Sequence, residues 1–205
     1  MWKEMSLSEF ISRTASADPV PGGGSIAALT AAQGTGLVGM LASLTKDKKG
    51  YEDVWAGMAT AAEKAAKQAQ HFLDFIQKDV DVFNEYMAIL KMPKDTDEQK
   101  DARGALLQKA VIRATEVPLE LARECYNYIK EAEYAIDHGN KGATSDGCIA
   151  VLLLKSAALS ALYNVKINLG SIKDEVLAKR IAKEMEEIEK GAAKKEKEIL
   201  AKVTF

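Results

Sequence analysis

Asp79 stands where a carboxylate is least expected. Steps of four and three residues run through Met58, Ala62, Ala65, Ala69, Phe72, Ile76, Asp79, Phe83, Tyr86 and Leu90. That spacing traces one stripe of a helix, and every other member is apolar or aromatic. A carboxyl group in such a seam is costly to ionise, so its pKa should rise toward the range useful for proton transfer. General acid or base work is the chemistry this implies. The same position would equally suit a buried aspartate that holds a backbone amide or a neighbouring Lys or Arg. The spacing leaves both readings open.

Pro21-Gly22-Gly23-Gly24-Ser25 is the second candidate. Three glycines let a backbone approach a ligand closely, and the unpaired N–H groups of a following helix favour anions or carbonyl oxygens. No Gly-Lys-Ser/Thr follows, so it is not a phosphate-binding P-loop, and no strand precedes it as a dinucleotide fingerprint requires. A tight connection between helices would need no ligand at all. Lys46, Lys48 and Lys49, with Tyr51, form either a solvated turn or a cationic patch for carboxylates. Asn140, Ser145 and Asp146 surround a helix start, where capping is the default explanation. Asn164 and Asn168 share a face if their segment is helical, and Lys155 is the lone charge between Ile149 and Leu162.

The elements that must position these groups are helical. Ala, Leu, Lys, Glu and Met dominate long stretches, and only four prolines occur. Ser6-Leu7-Ser8-Glu9 reads as a capping box opening a short helix through about Arg13. Asp18 to Gly24 must be a loop. Ser25 should cap a helix to about Leu44, followed by a charged turn from Lys46 to Gly50. On that helix Ala28, Ala32 and Gly36, with Ala31, Thr35, Gly39 and Ser43 alongside, offer a small-residue face for close packing against a neighbour, in this subunit or a second.

A long helix is expected over Glu52 to Lys91. Thr96 and Gln99 form a second capping box for a helix toward Ala114, and Pro118 either kinks that helix or opens the next, which runs to about Asp137. Gly139 and Asn140 mark a stop. Ser145 and Asp146 should cap an apolar helix to about Tyr163. Asn164 to Asn168 alternates with period two and could be extended. Residues 173–205 carry a charged, amphipathic C-terminal helix. The fold class expected is all-α: a single-domain antiparallel helical bundle over residues 1–205 with one very long helix.

Composition narrows the function. The 28 basic and 30 acidic residues leave a net charge of -2, without the basic excess of a nucleic-acid binder. Cys125 and Cys148, with His71 and His138, show no metal-ligand spacing, so no metal site is expected and the thiols read as buried and reduced. MWKEMSLSEF has no apolar run of signal-peptide type. Ser25 to Leu44 has the length of a membrane span, but Thr30, Gln33, Thr35 and Ser43 make a buried helix the better reading. A cytoplasmic protein without membrane contact is expected.

Together these segments resemble the cyclodeaminase/cyclohydrolase family of folate enzymes. Asp18 to Ser25, Lys48 to Val54, Asp79-Val80-Asp81-Val82-Phe83, Met92-Pro93-Lys94, Ala114 to Leu119, Gly139-Asn140, Ser145-Asp146 and Asn164 to Leu169 carry the likeness. They occur in the family's order over residues 7 to 175. The resemblance implies an all-α homodimer with its folate site near the glycine loop, and Asp79 as the acid/base. The substrate-binding candidates within the matching stretches are Pro21, Gly22, Gly23, Gly24, Ser25, Lys49, Tyr51, Asn140, Ser145, Asp146, Asn164 and Asn168.

The implied substrate is a tetrahydrofolate derivative, with no permanently bound cofactor. Two reactions fit. A cyclohydrolase adds water to 5,10-methenyltetrahydrofolate to give 10-formyltetrahydrofolate. A cyclodeaminase closes 5-formimidoyltetrahydrofolate with loss of ammonia. Both pass through a tetrahedral carbon and need a proton moved, and neither needs a metal. The expectation favours the cyclohydrolase, because this sequence carries no formimidoyltransferase domain to hand over substrate. A helical adaptor binding a partner through its charged C-terminal helix is the alternative of another class, and it would need neither folate nor Asp79.

Overall fold

The computed structural model describes residues 1–204, with Phe205 outside the described residues. Six helices follow in chain order: α1 (Leu7–Thr14), α2 (Gly23–Ser43), α3 (Trp55–Leu90), α4 (Asp97–His138), α5 (Thr144–Leu169) and α6 (Glu175–Ala201). Single 3₁₀ turns at Trp2–Glu4, Glu52–Val54 and Lys141–Ala143 complete the secondary structure, with no strand among the described residues. The all-α class and the long helix agree with the sequence reading.

Local chemistry explains most ends. Ser6 accepts from the Glu9 amide at the start of α1. Thr96 and Gln99 form a complete capping box at α4, and Asp174 accepts from the Val176 and Leu177 amides at α6. Three expectations change. Gly22, not Ser25, is the N-cap of α2. Ala143 precedes α5, so Ser145 and Asp146 lie inside its first turn and make no cap. Asn164 to Asn168 is helical, the last turns of α5. Core burial of Val165 overrides a period-two pattern only five residues long.

Helices α2 to α5 form the bundle. Helix α2 packs against α3 and α5, α4 against α5 and α3, and α6 lies over α5 and α4. The core is filled by Leu41, Phe72, Phe75, Ile76, Ile129, Leu154 and Leu162. Helix α6 inserts Ile181, Met185, Ile188, Ala192 and Ile199 into it. Its apolar face is therefore already occupied within the chain, and its charged face, with Lys179, Lys183 and Lys190, stays exposed. Lys155, the lone charge on its stretch of α5, pairs with Glu196 of α6 at 2.6 Å.

Helix α4 does not break at Pro118, which sits buried inside one continuous helix of 42 residues. A proline has no N–H, so the carbonyl four residues earlier, that of Ala114, loses its helical donor. Asn168 of α5 supplies one: its side-chain amide donates to the Ala114 oxygen at 2.8 Å.

Candidate active site

Lengths create the cleft. Helix α3 has 36 residues and α2 has 21, and the two run antiparallel, so α3 continues past the N-terminus of α2. Along the seam Met58, Ala65, Phe72 and Ile76 are buried. From Asp79 onward the cover stops, and Phe83 and Tyr86 are only partly buried. Asp79, Phe83 and Tyr86 of α3, Val111 and Ala114 of α4, and Asn164 and Asn168 of α5 enclose about 450 Å³. That volume lies within the usual range of ligand pockets. A groove of about 530 Å³ between α4 and α6 is larger but lined by Glu116, Glu120, Arg123, Arg180 and Glu184, with Arg123 and Glu184 ion-paired. Only Leu119 and Ile181 give it apolar wall, and no aromatic side chain lines it.

Asp79 sits where the packed seam turns into open cleft. Burial raises its carboxyl above the usual range, opposed by hydrogen bonds from the Ser25 hydroxyl and the Ser25 backbone N–H. The hydroxyl donates to Oδ2 at 2.7 Å. Asp79 thus accepts hydrogen bonds from Ser25 of α2 while its carboxyl lines the cavity. Because Gly22 offers α2 no side-chain cap, Asp79 supplies from α3 the anion that a helix N-terminus favours.

The glycine loop enables this approach. A Cβ on Gly24 would lie 2.2 Å from Asp79 Oδ1, so only glycine lets the backbone come so close. Gly23 faces the Asn164 amide group with room for a Cβ at 3.7 Å. Pro21 is buried after a cis Val20–Pro21 bond. Asn164 donates to the Ser160 carbonyl at 3.2 Å.

The remaining sequence candidates lie elsewhere. The Asn140 N–H donates to Thr45 Oγ1 at 2.8 Å, and the Lys141 N–H donates to the Tyr51 hydroxyl at 3.1 Å. Asn140 Oδ1 also accepts from the Gly142 amide. These bonds knit the turn after α2 to the α4–α5 connection, where Ser145 and Asp146 also stand and next to which Lys49 is exposed. That knot is at the far end of α2, about 30 Å from Asp79 for a helix of this length. Within one chain, the candidates form two groups.

Phe83 and Tyr86 belonged to the seam but not to the predicted site, and their place beside Asp79 on the stripe was the available signal. Ala114 and Ile167, which also line the cleft, lie in stretches that carry the family likeness, whereas Val111 and Ser171 carried no signal. Among the described residues, no group of three or more His, Cys, Asp or Glu is placed to hold a metal ion.

Residues 6–187 match the sequence profile described as formiminotransferase-cyclodeaminase. The methenyltetrahydrofolate cyclohydrolase of Methylorubrum extorquens is 37% identical over 181 residues, 88% of this chain and 87% of that protein. The formimidoyltransferase-cyclodeaminase of Sus scrofa is 30% identical over 85% of this chain, which spans 32% of that longer protein. The crystal structure of formiminotetrahydrofolate cyclodeaminase from Thermotoga maritima superposes with a TM-score of 0.86 at 30% identity, covering 97% of this chain and 96% of that one. With the helical order, the glycine loop against Asp79 and these likenesses in agreement, the chain belongs to the formiminotransferase-cyclodeaminase family and is an enzyme of folate one-carbon metabolism.

Proposed function

We propose that this protein is a 5,10-methenyltetrahydrofolate cyclohydrolase with Asp79 as its acid/base. The observation that carries this is a single carboxyl group, raised by burial, at the foot of a cleft walled by Phe83 and Tyr86. Water attacks the cationic carbon bridging N5 and N10 while the carboxylate removes a proton. The tetrahedral adduct collapses as its new hydroxyl becomes a carbonyl and N5 leaves with a proton. The sum is methenyl cation plus water giving 10-formyltetrahydrofolate and one proton. Raising the pKa of a carboxyl brings it closer to the range in which it can both take and return that proton. Nothing in these steps calls for a further cofactor.

The cyclodeaminase is the second reading, favoured by the likeness to the Thermotoga maritima protein. There N10 attacks the formimidoyl carbon and ammonia departs, again through a tetrahedral carbon. Assaying the purified protein with methenyl- and formimidoyltetrahydrofolate side by side decides the matter. Hydrolysis of the first with no ammonia from the second supports the cyclohydrolase, and ammonia release with slow hydrolysis overturns it.

We also propose a homodimer across α2 and α5. Both helices are apolar enough and long enough to cross a membrane, yet only about half of each is buried. The outward half of α5 shows Ile149, Leu152, Tyr163 and Ile167, with Ile167 78% exposed, and that of α2 shows Met40 and Leu44. Apolar faces of this extent mark association. An antiparallel pairing of two α2 helices would set the partner subunit's Tyr51 turn beside the Asp79 cleft. The two separated groups of candidates would then form one site.

A further inference from the structure

We propose that Ser25 is a positioning residue for Asp79, holding its carboxylate for reaction, and does not contact the folate. This rests on the reading of Asp79 as the acid/base.

Three observations carry it. Ser25 is 0% exposed, so no ligand in the cleft reaches its side chain. Its hydroxyl donates to Asp79 Oδ2 at 2.7 Å, and its backbone N–H adds a second bond to the same carboxyl group. The carboxylate also lies against Gly24, where a Cβ would fall 2.2 Å from Oδ1 and 3.0 Å from Oδ2. One turn of α2 therefore fixes both the position and the rotation of a group that would otherwise turn freely. The glycines make the approach possible, and Ser25 provides the donors.

The electrostatic consequence follows from the surroundings. The charged side chains on the neighbouring turns engage other groups: Lys78 reaches Glu120, Arg113 of α4 reaches Glu85, Lys166 of α5 reaches Glu189, and Asp81 accepts from Gln77. Helix α2 presents no charge here. Tyr86 is the other titratable side chain lining the cleft. Burial pushes the Asp79 carboxyl up, and only the two Ser25 donors pull it down. Hydrogen bonds to the charged form favour that form. Without the hydroxyl the carboxyl would stay protonated to higher pH and would be available as a base over less of the pH range.

The test is a carbon NMR titration of the Asp79 carboxyl in the full, ligand-free chain, its signal identified by its loss in Asp79→Asn. In Ser25→Ala the midpoint should move up by about one to two pH units, the range expected for losing a hydrogen bond to a charged group. Ser25→Thr, which keeps the hydroxyl, should return it toward the wild-type midpoint. Ser25→Cys, similar in volume with a weaker donor, gives the same comparison should the alanine variant fail to fold. With substrate, Ser25→Ala should lower kcat about tenfold or more on the acidic side of the pH profile with KM within about threefold, and shift the acidic limb of that profile upward. An unmoved midpoint, or a tenfold rise in KM with kcat intact, overturns the assignment and makes Ser25 structural or substrate-contacting. Full turnover by Asp79→Asn overturns instead the functional reading, and with it any part for Ser25 in the reaction.

Discussion

Asp79 and Asp81 differ by two positions and by everything else that matters. Asp79 faces the cleft under the Ser25 hydroxyl, whereas Asp81 is exposed and accepts from Gln77 one turn back. Asp79→Asn keeps the shape and one acceptor but cannot exchange a proton, so turnover should fall by about 10²–10⁴-fold while folate binding persists. Asp81→Asn should retain most activity, and equal losses at both positions would sink the assignment. Stability gives a second reading of the same carboxyl. A folded-state pKa raised above the unfolded one means that the native protein binds this proton more tightly. Stability from that proton is complete below the ordinary aspartate value of about 4 and is lost as pH rises through the elevated one. Denaturation of wild type against Asp79→Asn should therefore show the asparagine variant gaining relative stability as pH rises across that window; a pH-independent difference would contradict it. At this scale the sequence exposed Asp79 through its misfit in an apolar stripe, while Ser25 looked like a cap. The bond that defines Ser25 spans 54 residues, and no local spacing encodes such a contact.

Among the elements, α2 shows how unequal neighbouring glycines can be. Gly24→Ala would press a methyl into the Asp79 carboxylate, whereas Gly23→Ala meets the Asn164 amide at ordinary distance. The first should lower activity more than tenfold and destabilise by about 1–3 kcal/mol. The second should be nearly silent in both melting and kinetics, and matching effects would refute the close approach. Pro118 and Asn168 form another pair. Asn168→Ala leaves the Ala114 carbonyl without a donor, at about 1–3 kcal/mol. In a Pro118→Ala background residue 118 regains its N–H, so the same change should be milder by at least ~0.5 kcal/mol. Equal losses in both backgrounds, measured by denaturant unfolding, would remove the link. The caps at Ser6 and Thr96 were readable because they are local, although only Thr96 with Gln99 closes a full capping box and Ser6 caps α1 from one side. Ser145 misled because Asn140 and a 3₁₀ turn take up the chain before α5. Continuity of α4 through Pro118 was not readable, since its compensating donor belongs to another helix.

For the whole molecule, the helical bundle could be read from periodicity, and the family from motifs in order, but the separation of the motifs could not. Sequence proximity to a motif says nothing about which end of a 21-residue helix it occupies. The proposed dimer accounts for that separation and can be tested without disturbing the protomer. Nothing lies within 4 Å of a Cβ built on Gly36. Gly36→Leu should therefore leave the fold intact and shift light scattering from dimer to monomer; a dimer that tolerates it does not use this face. Mixing inactive Asp79→Asn with an inactive Tyr51 variant should restore activity if each site draws on two chains, and no recovery after subunit exchange would count against a shared site. From Phe83 to Lys109, the end of α3, its connector and the first turns of α4, no residue is buried. That arm carries the aromatic wall of the cleft but none of the core. Segments so poorly anchored open locally at little free-energy expense. Amide hydrogens from Phe83 to Lys109 should exchange with deuterium much faster than those from Met58 to Ile76, and bound folate should slow Phe83 to Leu90 selectively. The wall that grips the substrate would then be the part of the enzyme that breathes most, and its opening rate a natural ceiling on how quickly product departs.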